Sequence, residues 1–163
     1  MTRSFVGALA VLAAVVMVAA GCGSDSDTSG NDSSTLTKAE FLKQGNAVCA
    51  KGNEEIEAGF EEFSEEHNLS EKKQPSQAQL EEAIESILIP GIRKQIDGLE
   101  ALGAPSGEEA EVEAILSAAE EALEKGEEDP SVLAGETNGP FIKANKLARE
   151  YGLAKCGEED AEG

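Results

Sequence analysis

The sequence predicts an all-α fold, an up-and-down bundle of about four helices with a proline-kinked second helix and one disulfide. Three observations carry that expectation. From Leu36 onward no run of alternating β-branched residues occurs, and Ala, Glu, Leu and Lys dominate. Apolar side chains recur three and four apart over long stretches, the spacing that places them on one helix face. Start and stop signals punctuate those stretches and leave only short connections, as neighbouring antiparallel helices require.

The first helix opens at Thr37, an N-cap with Glu40 three residues on to complete a capping box and Leu36 and Phe41 as the hydrophobic staple. It should run to about Glu66. Its inner face is read as Phe41, Gly45, Val48, Cys49, Gly52, Ile56, Gly59, Phe60 and Phe63. Gly45, Gly52 and Gly59 recur every seven residues there. Each glycine in a helix interior costs about 0.5 to 1 kcal/mol relative to alanine, so the stripe implies something lying close against it. A tightly packed neighbouring helix is the first reading, and a ligand groove along Gly45, Gly52 and Gly59 is the second.

Residues 67–74 are polar and turn-like. Ser76 and Gln79 form a second capping-box pair, followed by a buried stripe of Leu80, Ala83, Ile84, Ile87 and Leu88. Pro90 interrupts that stripe, yet it resumes in phase as Ile92, Ile96, Leu99 and Leu102. One kinked helix over about 77–102 is therefore expected. A turn at Gly103-Ala104-Pro105 leads to a third helix, capped by Ser106 with Glu109, whose inner face is Val112, Ile115, Leu116, Ala119 and Leu123 and whose end suits Gly126. Asp129-Pro130 starts a short helical turn through Leu133, and residues 135–140 break the chain again. The last helix carries Phe141, Ala144, Leu147, Ala148 and Tyr151, with Gly152 placed as a left-handed cap.

Ahead of this body the chain changes character. Arg3 precedes an unbroken apolar or glycine segment over 5–20, too short for a spanning helix of about 20 residues and followed by small residues, as in a secretory signal. Ala19-Ala20-Gly21-Cys22 then resembles the lipobox of bacterial lipoproteins, with Ala19 where that family more often has Leu. The resemblance implies that Cys22 is acylated, that the signal is cut off before it, and that Cys22 becomes the first residue of a chain held on the bilayer. Two or three acyl chains anchor stably where a single one does not. Residues 23–35 are all Gly, Ser, Thr, Asp or Asn and should form a flexible tether with a typical reach of roughly 20 Å. Within it Asp25-Ser26-Asp27-Thr28-Ser29-Gly30 opens like a calcium loop, but the twelfth position is Leu36 where a bidentate Glu is needed, so a linker is the better reading. The expected organisation is a signal over 1–21, lipidated Cys and tether over 22–35, helical domain over 36–157 and acidic tail over 158–163.

The whole chain carries 33 acidic against 13 basic residues, a formal charge of −20. Loss of Arg3 with the signal leaves 12 basic residues and about −21. That balance disfavours nucleic acid, and disfavours a body lying on anionic lipid. Of three cysteines the lipid claims Cys22, and the remaining pair, Cys49 and Cys156, is expected to form a disulfide in an oxidising compartment.

His67 is the one histidine, so neither a di-iron bundle with two Glu-x-x-His motifs nor a His/Cys zinc site is furnished, and no metal or cofactor is expected. His67 is read as a solvated helix-end or loop residue. No Gly-Lys-Ser/Thr phosphate loop or Gly-x-Ser-x-Gly elbow occurs. Glutamate pairs such as Glu61-Glu62 and Glu120-Glu121 point about 100° apart on a helix and decorate a surface. With no Trp, and four of the five aromatics after Cys22 on inner faces, stacking platforms for sugars or quaternary amines are absent.

Along nearly all of the domain the chain resembles a group of small helical lipoproteins of actinobacterial-type Gram-positive bacteria. The resemblance rests on the lipobox at Cys22, Ala39-Glu40-Phe41 leading to Val48-Cys49, the 90–102 segment with Pro105, and the ending 148–156. It implies location and fold and brings no activity. The expected function is a membrane-anchored, extracytoplasmic, non-enzymatic binding or scaffolding module. Its partners are the bilayer through Cys22 and a cell-envelope protein; the alternative is a carrier of a small apolar or lipid ligand in the helical core.

Overall fold

The computed structural model describes residues 36–134 and 139–157. The signal, Cys22, the tether and the acidic tail lie outside the described residues, as does Gly135. Helix α1 spans Lys38–Glu66, α2 spans Gln77–Ala83, α3 spans Ile89–Leu102, α4 spans Glu109–Glu128 and α5 spans Ile142–Tyr151. A π-helical turn, Ile84–Leu88, joins α2 to α3 without a break, so one helical rod runs over 77–102 as expected. The described residues contain an all-α up-and-down bundle in which α1 packs on α3, α3 on α4 and α4 on α5.

Local chemistry starts both long rods. Glu40 N–H donates to Thr37 Oγ1 at 3.3 Å and Thr37 N–H donates to the Glu40 carboxylate at 3.0 Å, a complete capping box. Ser76 and Gln79 repeat it, with Ser76 N–H donating to Gln79 Oε1 at 3.0 Å. Leu36 packs on the same cluster as Phe41, which is the staple. The π turn is the rod's accommodation of Pro90. Ile89 N–H donates to the carbonyl of Ile84 five residues back, which makes room in the ladder just before the proline. Pro90 follows directly, so the amide hydrogen it lacks falls where the π turn passes into α3.

The start of α4 departs from expectation. Ser106 does not cap it; the N-cap position is Glu108 and makes no side-chain cap bond. Pro105 is fully buried, and Gly107 adopts a left-handed φ of +84° in the turn that follows, so the helix begins later than the Ser106 cap requires. The Glu109 carboxylate instead accepts from Gly107 N–H at 2.8 Å. Gly126 does not end α4 either. It lies buried inside the helix, where an added Cβ would stand 2.4 Å from Leu133 Cδ1, and its role is to let the following 3-10 turn, Pro130–Leu133, fold back on the helix. That turn is capped by Asp129, which accepts from Ser131 N–H at 3.0 Å. Gly152 is the left-handed cap of α5, with φ of +112°.

Two apolar clusters divide the interior. The first holds Phe41, Cys49, Leu99, Val112, Ile115, Ala148 and Leu153; the second holds Ile84, Ile89, Ile96 and Leu123, and Leu116 packs against both. No polar or charged residue is buried among the described residues, so burial of apolar area drives this fold with no charge to desolvate. The inner face expected for α1 is buried over only half its length. Phe41, Gly45, Cys49 and Gly52 are buried, whereas Val48, Ile56, Gly59, Phe60 and Phe63 are half-buried. The near part is closed by the segment that follows α5, which reaches along α1 as far as Asn53.

Candidate functional site: the two seams of helix 1

The glycines of α1 form one seam with the 77–102 rod. A Cβ at Gly45 would lie 3.1 Å from Leu99 Cδ2 and 2.7 Å from Leu153 Cδ2; at Gly52 it would lie 2.3 Å from Gln95 Cγ, and at Gly59 2.7 Å from Ile87 Cγ2. The rod answers with glycines of its own. At Gly91 and Gly98 an added Cβ would collide with Ile56 and Val48 of α1. As numbers rise along α1 they fall along its partner, so two antiparallel helices interlock, each placing side chains where the other has none. The space a groove along Gly45, Gly52 and Gly59 requires is filled by Leu99, Leu153, Gln95 and Ile87.

A second seam, on an adjacent face, holds the segment that follows α5. Cys49 and Cys156 are disulfide-bonded, with Cα atoms 5.0 Å apart across 107 residues of sequence. Two asparagines flank the bond on α1. Asn46 Nδ2 donates to the Gly152 carbonyl at 3.0 Å, and its Oδ1 accepts from Lys155 N–H at 2.8 Å. Asn53 Nδ2 donates to the Lys155 carbonyl at 3.1 Å, and its Oδ1 accepts from Gln95 Nε2 at 3.0 Å. The segment has left the helix at Gly152, so its backbone groups need partners, and these amides supply both a donor and an acceptor. Leu153, 1% exposed, is the apolar plug beneath them and closes the space over Gly45. Sequence reading missed Asn46 and Asn53. The available signal was their spacing of seven around Cys49, in the same register as the glycines.

At the near end of the bundle Lys38 ties three elements together. Its ammonium lies 2.7 Å from the Glu108 carboxylate and 4.4 Å from the ring centre of Tyr151, which in turn meets Phe41 edge to face. The Tyr151 hydroxyl is buried beside the Glu108 carboxylate. Burial and the nearby negative charge of Glu108 push its pKa up to about 12. His67 corrects the expectation of a solvated residue. It is half-buried at the C-cap of α1, stacked on Phe63 with ring centres 4.2 Å apart, and its Nδ1 is 3.0 Å from the Gln79 amide. It joins α1 to α2.

A concavity of about 390 Å³ lies between α3 and α4, lined by Leu99, Val112 and Leu116 with Glu100, Glu113 and Glu120, and another of about 460 Å³ is lined by Lys125, Glu128, Asp129, Val132, Gly139 and Pro140. Among the described residues no group of three or more His, Cys, Asp or Glu side chains is arranged to hold a metal ion, and no helix is long and apolar enough to cross a membrane.

No family model matches this chain, and no curated protein or solved structure matches it either.

Proposed function

We propose that the protein is an extracytoplasmic lipoprotein, acylated on Cys22, whose helical domain is a non-enzymatic binding or scaffolding module. The single observation that carries this reading is the assignment of the cysteines. The sequence holds three, the bundle uses Cys49 and Cys156 in a disulfide, and the one left over is the cysteine that ends the lipobox-like stretch. A disulfide belongs to an oxidising compartment, which is where an exported, lipid-held chain works. The filled glycine seam favours a partner met at the surface over an apolar molecule carried between α1 and α3.

Mass spectrometry of the protein from its own host tests the anchor. The mature chain should begin at Cys22 with a diacylglyceryl group and contain no free thiol; palmitate label should enter the wild type and not Cys22→Ser. An N-terminus elsewhere with an unmodified Cys22 overturns the anchor. Binding of the intact mature protein to purified envelope proteins and to peptidoglycan tests the module, and absence of saturable binding to either counts against it.

A further inference from the structure

We infer that the far half of α1, around Phe60 and Phe63, is a docking face for a basic amphipathic helix of a partner protein. The inference deepens the binding-module reading above and rests on it. Four observations lead to it. Every buried residue of α1 lies at or before Gly52, and Phe60 and Phe63 belong to neither apolar cluster. Phe60 continues the seven-residue register of Asn46 and Asn53. Those two hold the chain's own terminal segment, which reaches Lys155 and then turns at Gly157 toward Asn145 and Arg149 of α5. The seam that this segment fills at the near end therefore continues along α1 to a half-buried phenylalanine. Beyond Asn53 the glycine seam of α1 meets the 77–102 rod, with Ile87 over Gly59 and Ile56 over Gly91.

Charge decides the occupant. The strip is bordered by Glu57, Glu61, Glu62, Glu65 and Glu66, all exposed, with no Lys or Arg between Lys51 and Lys72 in the sequence. A second copy of this chain would bring the same carboxylates against these, and an anionic leaflet would be repelled. A helix with apolar residues three and four apart and Lys or Arg on both flanks supplies the apolar ridge and the counter-charge together. Phe63 is already fixed by its stack on His67, so the face offers an aromatic anchor that need not be ordered on binding.

The experiment titrates the mature protein with a synthetic 18-residue Leu/Lys amphipathic helix and with its Leu/Glu counterpart, and follows amide shifts and binding heat. The Leu/Lys peptide should perturb amides of the far half of α1 and of α2. Phe60→Ala and Phe63→Ala should each weaken it tenfold or more, while Val132→Ser, an exposed apolar change elsewhere, leaves affinity unchanged. Phe60→Ala is checked for an unaltered helical spectrum, and Phe60→Leu should restore most of the affinity. Equal binding of the Leu/Glu peptide overturns the proposal. So do shifts spread over the glutamates of α4 with Phe60→Ala at full affinity, or a self-dimer that Phe60→Ala abolishes. A domain that binds an envelope protein through another face would sink this docking face and leave the binding-module reading standing.

Discussion

The two halves of α1 are built from the same alphabet and come to opposite ends. Both carry stripe glycines, Gly45 and Gly52 in the one and Gly59 in the other, both carry phenylalanine, and both are flanked by charge. The near half holds all the buried residues of α1, with Leu42 and Val48 half-buried beside them. Phe41 is 0% and Cys49 1% exposed, the terminal segment is clamped over the helix by two asparagines, and a covalent bond closes the seam. The far half packs on one neighbour and has no buried residue. An amphipathic stripe in sequence states only that a face is able to be buried; how much is buried depends on how many other elements reach it.

Breaking the disulfide tests the comparison most severely. The bond closes a loop of 107 residues, and in the chain-entropy account a loop of about 100 residues is worth roughly 4 to 5 kcal/mol. Cys49→Ala with Cys156→Ala should lower the unfolding free energy by about that amount in denaturant titration, a large share of the 5 to 15 kcal/mol of an ordinary domain. Hydrogen exchange should quicken first at 152–157 and in the near half of α1. Equal acceleration along the whole of α1 would show that the two halves are not separately held.

Truncating an aromatic in each half sharpens the contrast. Phe41→Ala removes a fully buried ring from the first cluster and should cost about 3 to 5 kcal/mol. Phe60→Ala, at a half-buried position outside both clusters, should cost less than about half of that, because the ring gives up little area and leaves no closed cavity. Thermal or chemical melts of the two variants side by side decide it.

The smallest effect is at the first turn. Thr37→Ala should cost about 1 kcal/mol by removing the side-chain cap. Its pH dependence has a fixed sign. The hydrogen bonds from Thr37 hold the Glu40 carboxyl below its ordinary 4.5, so that contribution is complete above 4.5 and disappears as pH falls through the lowered value. Glu109, lowered by backbone N–H groups including that of Gly107, acts in the same direction. The stability gap between wild type and Glu40→Gln should therefore be present at pH 7 and shrink in acid; a gap that does not change with pH would remove the carboxylate from the cap.

Much of the architecture was legible because it is written in local chemistry. The two capping boxes need three residues' worth of information each, and Gly152 needs only the absence of a Cβ at a left-handed position. The errors share a cause. Ser106 has the composition of a cap and Gly126 that of a helix end, but a buried proline and a returning 3-10 turn moved the real boundaries. Asn46 and Asn53 look like ordinary surface amides in a helix, since their partners lie more than a hundred residues away. Of the candidate sites, the disulfide was readable from cysteine parity, while the glycine stripe was readable as a close approach and not as a choice between helix and ligand.

The sequence by itself determined where the two long rods start and which residues are able to face inward, because caps and periodicity are properties of neighbours along the chain, and cysteine parity named Cys49 and Cys156 as the pair. Only the tertiary structure decided that Leu99, Gln95 and Ile87 fill the glycine stripe, that the terminal segment seals the near half of α1, and that Phe60 is left at the rim. Those outcomes depend on which elements reach α1: the segment after α5 extends along it to Asn53, and past that point the 77–102 rod is what covers the apolar stripe.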